Sequence, residues 1–156
     1  MGLKYEQNLY ALDTHKYRVL RGFRYAIDNK IVQSNYVILS VYGIFVCDYI
    51  SLNGVLKGKD TDPELINVIR NEYGAKSQQI VPNPFVKTEE TCELLRKDPL
   101  FADKNLIPTV IFSEYLDLDL EGDKLRVKIN DLERDLSIFK KEKMTEEMMN
   151  QMYNEL

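Results

Sequence analysis

The chain of 156 residues has one histidine and two cysteines. With so little histidine, a His-based hydrolase site or a His-rich metal site is not expected. His15 has no partner pattern and reads as a loop or helix-end residue. Cys47 and Cys92 form neither a disulfide framework nor a zinc-ligand spacing. Each lies in an apolar segment and is expected to be a small buried hydrophobe. No apolar run approaches the ~18 residues of a membrane-spanning helix, so no membrane span is expected. The opening MGLKYEQNLY lacks the apolar core of a secretory signal. Met1-Gly2 opens like a myristoylation signal, but Glu6 stands where Ser or Thr is needed. These absences lead to the expectation of a reducing cytoplasm. An excess of positive charge is missing as well: the formal net charge is −4, which excludes nucleic-acid binding by bulk charge alone. There is no internal repeat, low-complexity segment or linker, and residues 1–156 read as one domain.

Charge is present, but unevenly. Residues 1–35 hold Lys4, Lys16, Arg18, Arg21, Arg24 and Lys30 against Glu6, Asp13 and Asp28. Glu114, Asp117, Asp119, Glu121 and Asp123 crowd together near position 120. The cations at Lys16, Arg18, Arg21 and Arg24 can follow a phosphate backbone. The alternative is that they solvate the outer face of a strand.

The stretch from Ile31 to Gly58 is the richest in β-branched and aromatic residues. It reads as three consecutive antiparallel strands, about 31–40, 43–51 and 55–58, with Asn53-Gly54 as a hairpin signal. A two-residue turn at Val41-Tyr42 pairs residues whose numbers sum to 83, which sets Asn35 opposite Asp48. A three-residue loop reverses that relation. Ile44, Val46, Asp48 and Ile50 share one face. A carboxylate on an apolar face is costly unless hydrogen-bonded, paired or metal-bound; the alternative puts Asp48 at the wet end of its strand.

Around this block, residues 3–13 read as a short helix and Tyr17–Ile27 as the first strand, with a turn at Asp28-Asn29. By its position in that helix, Glu6 reads as a solvent-facing first-turn acid. Asp62-Pro63-Glu64 predicts a helix start running to Gly74, and Ala75–Pro84 a connector. Thr88 predicts the cap of a helix over Glu89–Lys97. Leu106–Ser113 reads as a buried strand. Leu116–Leu120 alternates with period two, as a half-exposed strand or an irregular extended arm does, and Leu125–Ile129 alternates again, so that the two can pair as a hairpin. A helix from Asn130 or Asp131 to Lys140 follows, and Thr145 starts a last one whose Met148, Met149, Met152 and Tyr153 form an apolar face. That face packs on the sheet or serves as an adaptable binding surface.

The ordered set Gln33-Ser34-Asn35, Gly43-Ile44-Phe45-Val46, Asp48-Tyr49-Ile50, Gly54 and Asn83-Pro84 resembles the nuclease-related domain (NERD) family, a branch of the PD-(D/E)xK nuclease superfamily. The resemblance covers roughly 5–153. It implies a restriction-endonuclease-like α/β fold, a mixed central β-sheet flanked by helices. It also implies a site at Glu6, Gln33, Asn35 and Asp48, with Asp48 the candidate metal ligand. The departures fall on the chemistry. Asn35 stands for the family's Asp, Asp48 for its Glu, Ile50 for its Lys, and Lys87 for the Gln after Asn-Pro. Two carboxylates hold the divalent cation in such sites, and a lysine steadies the attacking water. An amide and an isoleucine do neither.

The reading is therefore a catalytically degenerate nuclease-like domain that binds a protein or a nucleic acid, a pseudoenzyme with no cofactor expected. The alternatives are a divergent nuclease that uses Mg²⁺ or Mn²⁺ at Asp48 and Glu6, and an unrelated small α/β interaction protein.

Overall fold

The structure, a computed structural model, describes residues 5–156. Leu3 and Lys4, which figure in the expectations above, lie outside that range, as does the Met1-Gly2 signal.

The chain forms an α/β fold with two mixed sheets and flanking helices. The first sheet has the order β1-β2-β3-β7-β9, where β1 is Tyr17–Ile27, β2 Lys30–Ser40, β3 Gly43–Ile50, β7 Leu106–Phe112 and β9 Arg126–Lys128. β1, β2 and β3 form an antiparallel meander, while β7 and β9 add in parallel. Asp28 and Asn29 both take positive φ and make the first turn, which short polar side chains tolerate. Val41-Tyr42 is a two-residue turn, so Tyr36 pairs with Cys47 and Val37 with Val46. The sum-of-83 register is the one that forms.

One face of this sheet buries Val37, Leu39, Ile44 and Val46. Against it pack Cys92 and Leu95 of α2 (Pro84–Leu95), Phe101 of α3 (Pro99–Ala102) and Met149 and Met152 of α5 (Glu146–Glu155). The Thr145 hydroxyl caps α5 by accepting from the Met148 N–H, as expected, and Met149 and Met152 go into the core while Met148 stays exposed. The opposite face buries Ile38, Phe45, Cys47 and Ile111 beneath Leu9 of α1 (Glu6–Tyr10) and Leu132 and Leu136 of α4 (Leu132–Leu136). Cys47 and Cys92 are free and fully buried. Burial pushes both thiols up, Cys92 to about 12. Thiolate is the reactive form, so a polar thiol reagent is expected to label neither cysteine in the native protein and both after denaturation. Rapid labelling of native protein would contradict this burial.

The second sheet has the order β6-β5-β4-β8, with β4 Gly54–Lys59, β5 Glu64–Arg70, β6 Lys76–Pro82 and β8 Leu116–Glu121. It corrects several expectations. Residues 55–58 do not continue the first sheet: the chain leaves it after Ile50. Gly54 is required not for a hairpin but because the β5 backbone approaches so closely that a Cβ there would overlap the Val68 carbonyl. The segment 64–70 is a strand, not a helix. Leu65 and Asn67 point inward while Ile66 is exposed, and the Asn67 side chain donates to the Asn53 carbonyl at 2.7 Å. The Asp62-Pro63 start signal was outweighed by β-branched residues that pair with β4 and β6. The expected connector 75–84 is largely β6. Leu116–Leu120 and Leu125–Ile129 do not form a hairpin, since β8 lies parallel to β4 in one sheet and β9 parallel to β7 in the other. The helix expected over 131–140 is a turn of 3₁₀ helix followed by the short α4.

A third apolar cluster, with Leu56, Leu65, Phe85, Val110, Phe112 and Leu116, binds the sheets together. Beside it, Asp60 is buried and accepts from the Lys124 N–H at 2.9 Å and from Arg126 at 3.3 Å. Among the described residues no helix is long and apolar enough to cross a membrane.

Candidate functional site

The site lies where the first sheet comes apart. β2 and β3 pair from Ser40 to Tyr36. Beyond that the Asn35 side chain takes over: its Oδ1 accepts from the Tyr49 N–H at 2.8 Å. Val32 and Val37 bury in the same cluster although they are an odd number of residues apart. The β1–β2 ribbon therefore exchanges faces between them, at the level of Gly22 and Asn35. Ser34 holds the crossover, donating to the Cys47 carbonyl at 2.6 Å. This splaying opens a cavity of about 370 Å³ whose lining includes Glu6, Arg21, Arg24, Asn35, Tyr36 and Lys87. Gln33 is exposed on its wall.

Asp48 is 3% exposed, so the wet-end placement is excluded. It sits on the face that carries Ile44 and Val46, under α2. The Lys87 amine donates to its Oδ2 at 2.9 Å. Asp48 Oδ1 is buried with no hydrogen-bond partner among the described residues. The expected helix from Thr88 would leave Lys87 in a loop. Instead the Asn83 side chain caps α2 by accepting from the Phe85 N–H at 2.8 Å, and Pro84 occupies the first turn. The helix starts a turn early, and Lys87 is carried over Asp48. Asn followed by Pro is a start signal in its own right. It was the cue in the sequence for this missed residue.

Glu6 is 1% exposed rather than solvent-facing. Its Oε1 accepts from the Tyr36 hydroxyl at 2.9 Å and pairs with Arg21 at 3.2 Å, while Oε2 has no partner among the described residues. Burial first, then its bonds with Tyr5 and Glu6, pushes the Tyr36 hydroxyl far above the usual phenol range. Tyr36 is thus a fixed donor to the carboxylate. The two buried carboxylates repeat one arrangement: one oxygen held by a cation, the other bare.

The basic residues of the first strand are not one patch. Arg21 and Arg24 border the cavity. Arg18 instead donates to Asn150 at 2.8 Å and lies 4.0 Å over the Tyr153 ring, fastening β1 to α5. Lys16 is exposed in the turn before β1. Ile50 is half-buried against the third cluster.

A resident Mg²⁺ or Mn²⁺ calls for several free oxygen donors around one point. Here the Asn35 amide oxygen is committed to backbone and one Asp48 oxygen to Lys87. Among the described residues no three His, Cys, Asp or Glu side chains gather as a metal-binding group. The donor set as it stands does not fit such an ion. In comparisons with known proteins, the chain matches no family model, no curated protein and no solved structure.

Proposed function

We propose that this chain is a nuclease-like domain that binds a nucleic-acid backbone in the splayed cleft without cutting it. The supporting observation is the convergence of Arg21, Arg24 and Lys87 on one open cavity, while the buried carboxylates beside them, Glu6 in the lining and Asp48 beneath Lys87, are each already engaged by a cation. Three positive groups against two negative ones leave a surplus at this spot on an otherwise acidic chain. Guanidinium groups reach phosphate oxygens with paired donors, and a lysine adds a point charge. With Ile50 turned into the apolar cluster and Asn35 tied to backbone, the cleft has groups to hold a phosphodiester but not to assemble a metal-activated water.

The bare oxygens of Asp48 and Glu6 favour a second reading, a divergent metal nuclease in which Lys87 stands beside Asp48 as the missing lysine. One set of assays separates the two. Fluorescence-anisotropy titrations against labelled oligonucleotides should show binding that weakens steeply with salt, as counterion release requires. The change Arg24→Glu, on an exposed side chain, and the double change with Arg21→Glu should weaken it by one to two orders of magnitude, with a salt slope shallower by about one per lost contact. Thermal melting of each variant checks that it is folded. Unchanged affinity in the folded double variant removes this cleft from consideration. Robust Mg²⁺-dependent cleavage that Asp48→Ala abolishes would replace the binding reading with the catalytic one.

A further inference from the structure

A second cavity, of about 330 Å³, adjoins the cleft and shares a wall with it. That wall is Tyr5 stacked on Tyr49, with ring centroids 4.1 Å apart and planes 11° from parallel. Both tyrosines line both cavities. Across the second cavity stands Tyr115, 71% exposed. Asn53, Ser113 and Ile129 also line it, and no lysine or arginine does among the described residues. Glu114 is its one charged lining residue among the described residues.

The chemistry of the two cavities is opposite. The first offers guanidinium and ammonium groups; the second offers flat apolar faces, neutral amide and hydroxyl groups and a carboxylate acceptor. A phosphate is repelled from the second by Glu114. A nucleobase suits it: an aromatic plane to slide beside tyrosines, and exocyclic amino groups to donate to Glu114 or Asn53. A nucleotide carries these two parts joined, and the cavities are separated by one stacked pair of rings.

Building on the backbone-binding reading above, we infer that the Tyr5–Tyr49–Tyr115 cavity receives an unstacked base, so that the ligand is a single strand or a frayed end rather than an intact duplex. Duplex bases are already stacked and paired, and opening them costs a few kcal/mol. A single strand offers its bases freely, and every base has a face to stack.

The test uses the full chain with three labelled probes: a short oligodeoxycytidylate, whose bases carry an exocyclic amino group, the same strand with abasic sugars, and the corresponding duplex. The single strand should bind more tightly than the duplex. Abasic substitution and Tyr115→Ala should each weaken single-strand binding by about 10-fold, the scale of one lost base–aromatic stack. Tyr115→Phe should retain it. The abasic strand should be indifferent to Tyr115→Ala, because the partner of that ring is already gone. Equal affinity for duplex and single strand, or an unchanged affinity in both Tyr115→Ala and Tyr49→Ala, overturns the base cavity while the cationic cleft stands. If no probe binds at low salt, the backbone-binding reading falls, and this inference with it.

Discussion

Gly122→Ala is expected to cost about 3–5 kcal/mol of folding stability, the loss typical of breaking a buried ion pair. Gly122 has φ +114°, where side chains are strained. More decisive is its neighbour: a Cβ at this position would overlap the Asp60 carboxylate. That carboxylate cannot swing away cheaply. It is held by the Lys124 N–H and Arg126, while the Asp60 carbonyl accepts from the Asn83 side chain at 2.9 Å. Moving it would break a clasp joining the second sheet, the crossover into β9 and the start of α2. Urea unfolding measures the loss. The mechanism predicts strong non-additivity: in an Asp60→Ala background the clash is gone, so Gly122→Ala should add only its backbone strain, about 1–3 kcal/mol. Additive costs would mean that the glycine and the aspartate act independently.

Lys87→Met should destabilise the protein by about 1–3 kcal/mol, because it strands a carboxylate whose burial was balanced by one amine. The Asp48 side chain is nearly buried, whereas that of Lys87 is 61% exposed. Water screens part of this pair, so the loss lies below that for a fully enclosed one. Asn at position 48 removes the charge with little change of shape. The double change Lys87→Met with Asp48→Asn should therefore recover at least half of the loss. If the double variant is less stable than Lys87→Met alone, the pair is not what stabilises this end of β3. The same variants are informative in the oligonucleotide titration. Lys87→Met deletes a cation from the cleft, and Asp48→Asn alone should strengthen binding by freeing the amine for phosphate.

The first sheet was legible because its signals are local and agree. The β-branched and aromatic runs set β1 to β3, two polar residues turn at Asp28-Asn29, and a two-residue connection fixes the register that brings Asn35 toward the end of β3. Asp48 could be singled out because a carboxylate on an apolar face requires a partner, whereas Glu6 was pointed to only by the family resemblance. The partners themselves were not legible. Lys87 is far from Asp48 in sequence, and Arg21 and Tyr36 meet Glu6 only after the chain folds back. The second sheet was misread where local and tertiary preferences conflict. Asp62-Pro63 is a helix-start signal, but Leu65 and Asn67 are needed inward at strand spacing. Leu116–Leu120 and Leu125–Ile129 each have strand alternation, which says nothing about which neighbour they join. Arg18 shows the same limit among charges. Its spacing from Arg21 suggested a shared surface, whereas the Tyr153 ring and Asn150 draw it to α5.

The order in which the chain visits its two sheets has a kinetic consequence. It lays down β1 to β3 in one, β4 to β6 in the other, then alternates through β7, β8 and β9. The meanders can pair as soon as they exist, for their partners are close in sequence. The parallel strands cannot: β7 must find β3, and β8 must find β4, across the long intervals from Ile44 to Leu106 and from Gly54 to Leu116. Closing such long loops is paid in entropy before any contact rewards it, so folding on the slower scale of non-local topologies is expected. Until β8 arrives, β4 offers an open edge beside apolar Leu56. The two meanders are thus the early, self-sufficient pieces, and the segment 106–128 is the zipper that closes both sheets in one late event.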